Sequence, residues 1–268
     1  MVCFPLFMHR DTIKDNSVLH NKIQFQIKKQ DITMNILITG ISSGLGFGLA
    51  KYYLEQENSV YGISRKTNEE LNSDTNFHYL EQDLSDFENL SVSLSSFLKN
   101  VNQLDLVILN AGILNEIKDL KETGLDEIQK VMDVNVWANK ILIDCLTDSV
   151  KEIKQVVAIS SGASVSGSRG WNAYSLSKAT LNMLVNLYAS EFPEIHFCAL
   201  APGLIDTKMQ DYIFDLPEER NYPTIKRLKE AKGTKDMPDV EEAAKIVAAG
   251  IKKAKTKKSG IFLDVRKM

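Results

Sequence analysis

Cysteine is scarce in this chain: Cys3, Cys145 and Cys198 are an odd set of three, with no CxxC spacing among them. That argues against a disulfide scaffold and a thiolate metal site. It fits a reducing, cytoplasmic compartment, with Cys145 and Cys198 buried inside apolar runs. No metal is expected. No apolar run approaches the roughly 18 residues that a membrane-spanning helix needs. A surplus of positive charge is missing too: 32 Lys and Arg stand against 35 Asp and Glu, for a net charge of −3. Neither nucleic acid nor an anionic membrane finds a broad attractive field here. Internal repeats and low-complexity linkers are also absent. A chain of 268 residues without them suits one large domain with a sizeable core.

Residues 1–33 show little that would fold. Val2 to Met8 is briefly apolar, but no Lys or Arg precedes it, so it does not read as a secretory signal. The remainder of that stretch is polar without period. We expect a loose, non-core extension, and a folded domain over 34–268 that begins at Met34.

From Asn35 the pattern changes. Asn35-Ile36-Leu37-Ile38-Thr39-Gly40 is a continuous apolar run stopped by glycine, as a strand buried on both faces should be. Ile41-Ser42-Ser43-Gly44-Leu45-Gly46 follows, and then a helical pattern through Leu49, Ala50, Tyr53 and Leu54. Strand, glycine-rich turn and helix aim backbone N–H groups at a pyrophosphate. The spacing is Gly40-x3-Gly44-x-Gly46, not the common GxGxxG, so the signal rests on its flanking elements. The second strand, Val60 to Ser64, ends where this architecture reads the adenine-side ribose. Ser64, Arg65 and Lys66 stand there instead of a carboxylate. A hydroxyl and two cations suit a 2′-phosphate, so NADP(H) is expected over NAD(H).

Further strands are expected at Phe77–Glu81, Leu104–Leu109, Val156–Ser161, Ile195–Ala201 and Ser259–Val265. Helices are expected at Phe87–Lys99, Asp126–Val150, Trp171–Glu191 and Val240–Ala254. Polar or small residues gather at the strand ends: Asp83-Leu84, Asn110-Ala111-Gly112, Ser161 and Pro202-Gly203. Asn135 falls inside the apolar stripe of the helix 126–150, either as a hydrogen-bond hub or as part of a site. The stretch from Ile205 to Pro238 carries prolines and charges and reads as a long functional loop, often a lid. The alternation gives an α/β chain: a doubly wound, seven-stranded parallel sheet in a single domain, with ligand at the carboxyl ends of the strands.

Tyr174 and Lys178 lie four residues apart, on one helix face. An ammonium beside a phenol favours phenolate, so the Tyr174 pKa is expected to fall toward the working pH and suit it to proton transfer.

These motifs together resemble the short-chain dehydrogenase/reductase family, over roughly Asn35 to Val265. Thr39-Gly40-x3-Gly44-x-Gly46, Asp83-Leu84, Asn110-Ala111-Gly112, Asn135, Ser161, Tyr174-x3-Lys178 and Pro202-Gly203 carry the resemblance. It implies a Rossmann-type fold and reversible hydride transfer between NADP(H) and a carbonyl or alcohol. It makes Tyr174 the proton donor in reduction and gives Lys178 the nicotinamide ribose. Ser161 would hold the carbonyl, and Asn135 would organise a water leading from Lys178. Asp83 would lie near adenine and Asn110 near its ribose, with Ile205 and Thr207 at the nicotinamide carboxamide. The tail Ile261 to Arg266 resembles the sepiapterin- and benzil-reductase-like branch. Leu114, Ser164, Trp171 and Met209 are expected to wall the substrate pocket. The resemblance also implies a homo-oligomer, dimer or tetramer. The competing reading is an NADP(H)-binding sensor or scaffold without turnover.

Overall fold

The computed structural model describes residues 33–216 and 222–268. Of the expected N-terminal extension, 1–32 lie outside the described residues, as do 217–221 in the 205–238 stretch. Met34–Met268 form one compact unit.

The first strand, β1 (Asn35–Thr39), is buried along nearly its whole length. Side chains alternate across a strand, so Leu37 packs into one apolar layer while Ile36 and Ile38 pack into the other. That two-sided burial is why β1 reads as an unbroken apolar run. It leads into helix α1 (Gly44–Leu54) and then strand β2 (Ser59–Ser64). A short helix α2 (Glu69–Asn72), capped by the Asn68 side chain, precedes β3 (Phe77–Glu81) and α3 (Phe87–Phe97).

The expected strand Leu104–Leu109 divides in two, β4 (Gln103–Leu104) and β5 (Leu106–Leu109). The break falls at Asp105. Its carboxylate accepts the Asn35 backbone N–H at 2.9 Å and pairs with Lys154 Nζ at 2.6 Å. After β5 the long helix comes in three pieces: α4 (Leu125–Met132), a π-helical turn (Asp133–Trp137) and α5 (Ala138–Ser149). Then follow β6 (Glu152–Ile153), β7 (Gln155–Ile159), the short α6 (Ala163–Ser166) and α7 (Asn172–Glu191). Strand β8 (His196–Ala201) leads to α8 (Lys208–Phe214) and α9 (Pro223–Ala231). Helix α10 (Val240–Ala254) and strand β9 (Ile261–Asp264) complete the order.

Seven strands form one parallel sheet in the order β3-β2-β1-β5-β7-β8-β9. The order reverses between β1 and β5, and a parallel sheet opens a ligand crevice at that point. One face is covered by α3, α5 and α7, through Leu90, Leu142, Leu181 and Val185. The other is covered by α1 and α10, through Leu49, Val247 and Ile251. Gly48 of α1 lets those two helices touch: a Cβ there would stand 2.7 Å from Val240 Cγ1. Among the described residues, no helix is long and apolar enough to cross a membrane.

The stretch read as one long loop from Ile205 holds the two helices α8 and α9. Ile213, Leu216, Tyr222, Ile225, Leu228 and Met237 bury themselves there against Ile117 and Trp171. Its base is tied, since Asp206 N–H donates to Pro238 O at 3.0 Å.

Candidate active site

The carboxyl ends of β1, β2, β5, β7 and β8 open into one crevice of about 1730 Å³. Its floor on one side is the glycine turn. Gly40 (φ 75°) and Gly44 (φ 60°) both take left-handed backbone, which glycine adopts without steric cost. A Cβ on Gly44 would meet only Thr207, at 3.5 Å, so a ligand can approach this backbone closely. Gly46 has the opposite reason: a Cβ there would lie 2.3 Å from Gly40 O. It packs under the turn and does not line the crevice, whereas Gly40, Ser42, Ser43, Gly44 and Leu45 do. The Ser43 side chain does not cap α1, and the first turn of α1 carries no acid. The positive end of that helix therefore faces the crevice without a carboxylate of its own.

Thr39 and Asn110 lock this turn to β5. Asn110 N–H and Ala111 N–H both donate to Thr39 Oγ1 at 3.0 Å. Asn110 Nδ2 donates to Thr39 O at 2.9 Å and to Gly40 O at 3.3 Å. Asn110, Ala111 and Gly112 form the next stretch of wall.

At the end of β2, Ser64, Arg65, Lys66 and Thr67 border the crevice with Asp83 and Leu84. The Ser64 hydroxyl is already engaged, donating to Lys66 O at 2.7 Å. Arg65 and Lys66 are exposed. Asp83 accepts from Ser85 N–H at 2.9 Å and Ser85 Oγ at 2.7 Å. Those bonds, opposed by partial burial and helped by the Arg65 charge, hold its carboxyl below the usual range. The cradle fits a dinucleotide: glycine backbone and a helix N-terminus for the pyrophosphate, and at the β2 end two exposed cations with Asp83 tied to Ser85.

Ser161, Tyr174 and Lys178 meet at the opposite wall. Lys178 is 3% exposed, and its Nζ donates to Ile159 O at 2.7 Å. It stands 5.7 Å from the centroid of the Tyr174 ring. Burial brings the ammonium pKa down to about 8. The expected fall of the Tyr174 pKa is not what the structure gives. Burial pushes the phenol up, and a hydrogen-bonding interaction with Ser161 only partly offsets this. Desolvation penalises the phenolate, and Lys178 spends its short hydrogen bond on a carbonyl. Burial and the lysine's commitment to a carbonyl thus both act against the charged phenolate.

Asn135 is fully buried in the π-helical turn and does not line the crevice. Its Oδ1 accepts Ile113 N–H at 2.8 Å, and its Nδ2 donates to Ile113 O and Ser177 Oγ, both at 3.0 Å. Ser177 Oγ in turn donates to Tyr174 O at 2.8 Å. The amide is a hub that ties the loop after β5 to the Tyr174 helix. It stays close to the lysine: a Cβ built on Gly112 would lie 3.2 Å from Asn135 Oδ1 and 3.4 Å from Lys178 Nζ.

Pro202, Gly203, Ile205 and Thr207 close the crevice beyond β8, with Gly203 at φ 87°. Trp171 and Met209 line it as expected, but Leu114 and Ser164 do not. Leu114 packs into the apolar cluster under α8 and α9. Ser164 is turned inward, where Oγ donates to Ser161 O at 2.6 Å and accepts from Asn182 Nδ2 at 2.9 Å.

A further residue at this site escaped sequence reasoning. Asn115, 7% exposed, accepts the Tyr174 backbone N–H at 3.0 Å and donates to Asn172 Oδ1 at 2.5 Å. The first amides of a helix lack intrahelical partners, and Asn115 caps one of them from across the fold. A lone asparagine in a loop carries no such signal. Among the described residues, no three His, Cys, Asp or Glu side chains group as metal ligands.

The model of the short chain dehydrogenase family matches residues 34–217. A benzil reductase ((S)-benzoin forming) from Bacillus cereus is 33% identical over 202 residues, spanning 69% of this chain and 80% of the relative. An NADPH-dependent pterin aldehyde reductase from Arabidopsis thaliana is 28% identical over 183 residues, spanning 65% and 76%. Among solved structures, a short chain dehydrogenase/reductase from Saccharomyces cerevisiae superposes with a TM-score of 0.76 at 25% identity. That match covers 87% of this chain and 96% of the other.

Proposed function

The chain belongs to the short-chain dehydrogenase family, and on that premise we propose that it is an NADPH-dependent reductase of ketones or aldehydes. The observation that carries this reading is the wall where Ser161, the Tyr174 phenol and the buried Lys178 come together on the crevice. Ser161 Oγ positions the carbonyl oxygen, and Tyr174 delivers a proton to it as charge develops. Bound NADPH supplies the hydride to the carbonyl carbon. Lys178, with Asn135 behind it, replaces the proton and holds the ribose on the nicotinamide side. The glycine turn and α1 hold the pyrophosphate. Asp83 and Asn110 would border the adenosine half, and Ile205 and Thr207 would meet the carboxamide. Arg65 and Lys66 take the 2′-phosphate. The cysteine usage supports a cytoplasmic setting, and the exposed apolar residues Leu176, Met183 and Leu187 of α7 support a homo-oligomer.

NADPH oxidation with small diketones and aldehydes, wild type against Tyr174→Phe, tests the assignment. Turnover that falls by about 100-fold or more in the variant is expected for loss of general acid catalysis, with NADPH binding retained. Tight NADPH binding with no turnover on any carbonyl would instead make the protein a sensor.

A further inference from the structure

The substrate end of the crevice holds a charged pair that the reaction itself does not use. Arg266, just beyond β9, makes a two-pronged contact with Asp264: Nε to Oδ1 at 2.9 Å and Nη2 to Oδ2 at 2.6 Å. Asp264 is nearly buried, while the Arg266 side chain is half exposed. The pair fixes the guanidinium against the reacting wall. A Cβ built on Gly162, the neighbour of Ser161, would stand 3.5 Å from Arg266 Nη2. One on Gly203 would meet Arg266 Cγ and Cδ at 3.6 Å. Consecutive Cα atoms are about 3.8 Å apart, so the guanidinium sits within a few bonds' reach of a carbonyl held by Ser161.

A guanidinium offers five N–H donors in a planar fork. Two are spent on Asp264, and the rest remain for a ligand. Lys267, Lys208 and Arg227 line the same crevice. Asp264, which lines the crevice with them, is already engaged by Arg266. Trp171, Leu204, Ile213 and Leu228 supply an apolar wall beside them. Resting on the carbonyl-reductase reading above, we propose that Arg266 is a specificity residue that selects carbonyl substrates bearing a carboxylate next to the reacting carbonyl, with an apolar body. The preferred class is thus the 2-oxo acid with an aryl or branched alkyl group. A site built to pair a substrate charge discriminates strongly against the analogue that lacks it.

Phenylglyoxylate and 1-phenyl-1,2-propanedione share a skeleton and differ in that charge. With NADPH, the wild type is expected to favour phenylglyoxylate in kcat/KM by about 10-fold or more. Arg266→Gln should bring the ratio near one through KM for the acid, and Arg266→Lys should restore part of it. Equal or reversed preference in the wild type, or a ratio unmoved by Arg266→Gln, overturns the inference while leaving the reductase reading standing. Phenylglyoxylate binding to the NADPH-loaded Tyr174→Phe protein separates the two further. Binding that depends on Arg266 in the absence of any turnover by the wild type upholds the anion site and sinks the reductase reading. No such binding overturns the inference.

Discussion

Asn115 Oδ1 accepts the backbone N–H of Tyr174 at 3.0 Å, joining residues 59 apart in the chain. One partner belongs to the loop after β5, which borders the cofactor side of the crevice. The other is the tyrosine proposed as the acid. This hydrogen bond sets the helix start, and so the height of the phenol over the crevice floor. Asn115→Ala removes a capping acceptor, a change that costs about 0.5–2 kcal/mol. We expect a lower Tm together with a kcat loss of about 10-fold and nearly unchanged NADPH affinity. Asn115→Asp keeps the acceptor but loses the donation to Asn172 Oδ1, and should recover only part of kcat. A Tm loss with no change in kcat would reduce Asn115 to a purely structural cap.

Lys178 gives the protein opposed pH trends. Its pKa is about 8 in the folded chain against an ordinary 10.5. Below pH 8 both folded and unfolded chains carry the charge, and the fold bears its burial cost. Between pH 8 and 10 the folded chain releases the proton while the unfolded chain keeps it. Stability from this group therefore rises with pH in that window. The reductive kcat/KM should fall over the same window as the ammonium is lost. Thermal unfolding and initial rates from pH 7 to 10 check both. Lys178→Met should flatten the stability rise.

Arg65 faces the crevice beside Asp83. A hydrogen bond to a charged group contributes about 1.5–3 kcal/mol, which corresponds to roughly 10- to 100-fold in affinity. Arg65→Ala should lower the NADPH-to-NADH ratio of kcat/KM by about that factor, mainly through the KM for NADPH. A wild-type preference for NADH would remove the 2′-phosphate assignment.

Gly46→Ala should be severe. The added methyl would overlap Gly40 O at 2.3 Å and Asn110 Nδ2 at 2.4 Å. Overpacking of this kind costs about 1–3 kcal/mol, and here it also pushes on the turn that receives the cofactor. A Tm drop of several degrees with weakened NADPH binding is expected from differential scanning and titration. Gly233→Ala makes a useful contrast, because a Cβ there meets nothing within 4 Å. Its left-handed φ of 73° carries only the local backbone cost.

The sheet was legible because its strands are buried on both faces. Runs such as Ile36-Leu37-Ile38 and Val156-Val157-Ala158 have no polar face to blur them. The helix 126–150 was legible in extent but not in form. A π-helical turn leaves no mark in composition, although Asn135, which it carries, already stands on the apolar stripe. Helices α8 and α9 were hidden by surrounding charge, although Pro223 stands at a helix start, where proline is favoured. The gathering of Ser161, Tyr174 and Lys178 at one wall was legible from their spacing. The state of the phenol was not, because it depends on how far the walls exclude water and on where the Lys178 proton points. Neither is local in sequence.

The bond between Asp206 N–H and Pro238 O turns the intervening excursion into a closed collar whose two ends rest on each other. Whatever reshapes that stretch meets Trp171 and, at the start of the next helix, the Tyr174 ring packed against the same apolar cluster. A change in the shape of the mouth and a change in the set of that ring are therefore inherited together.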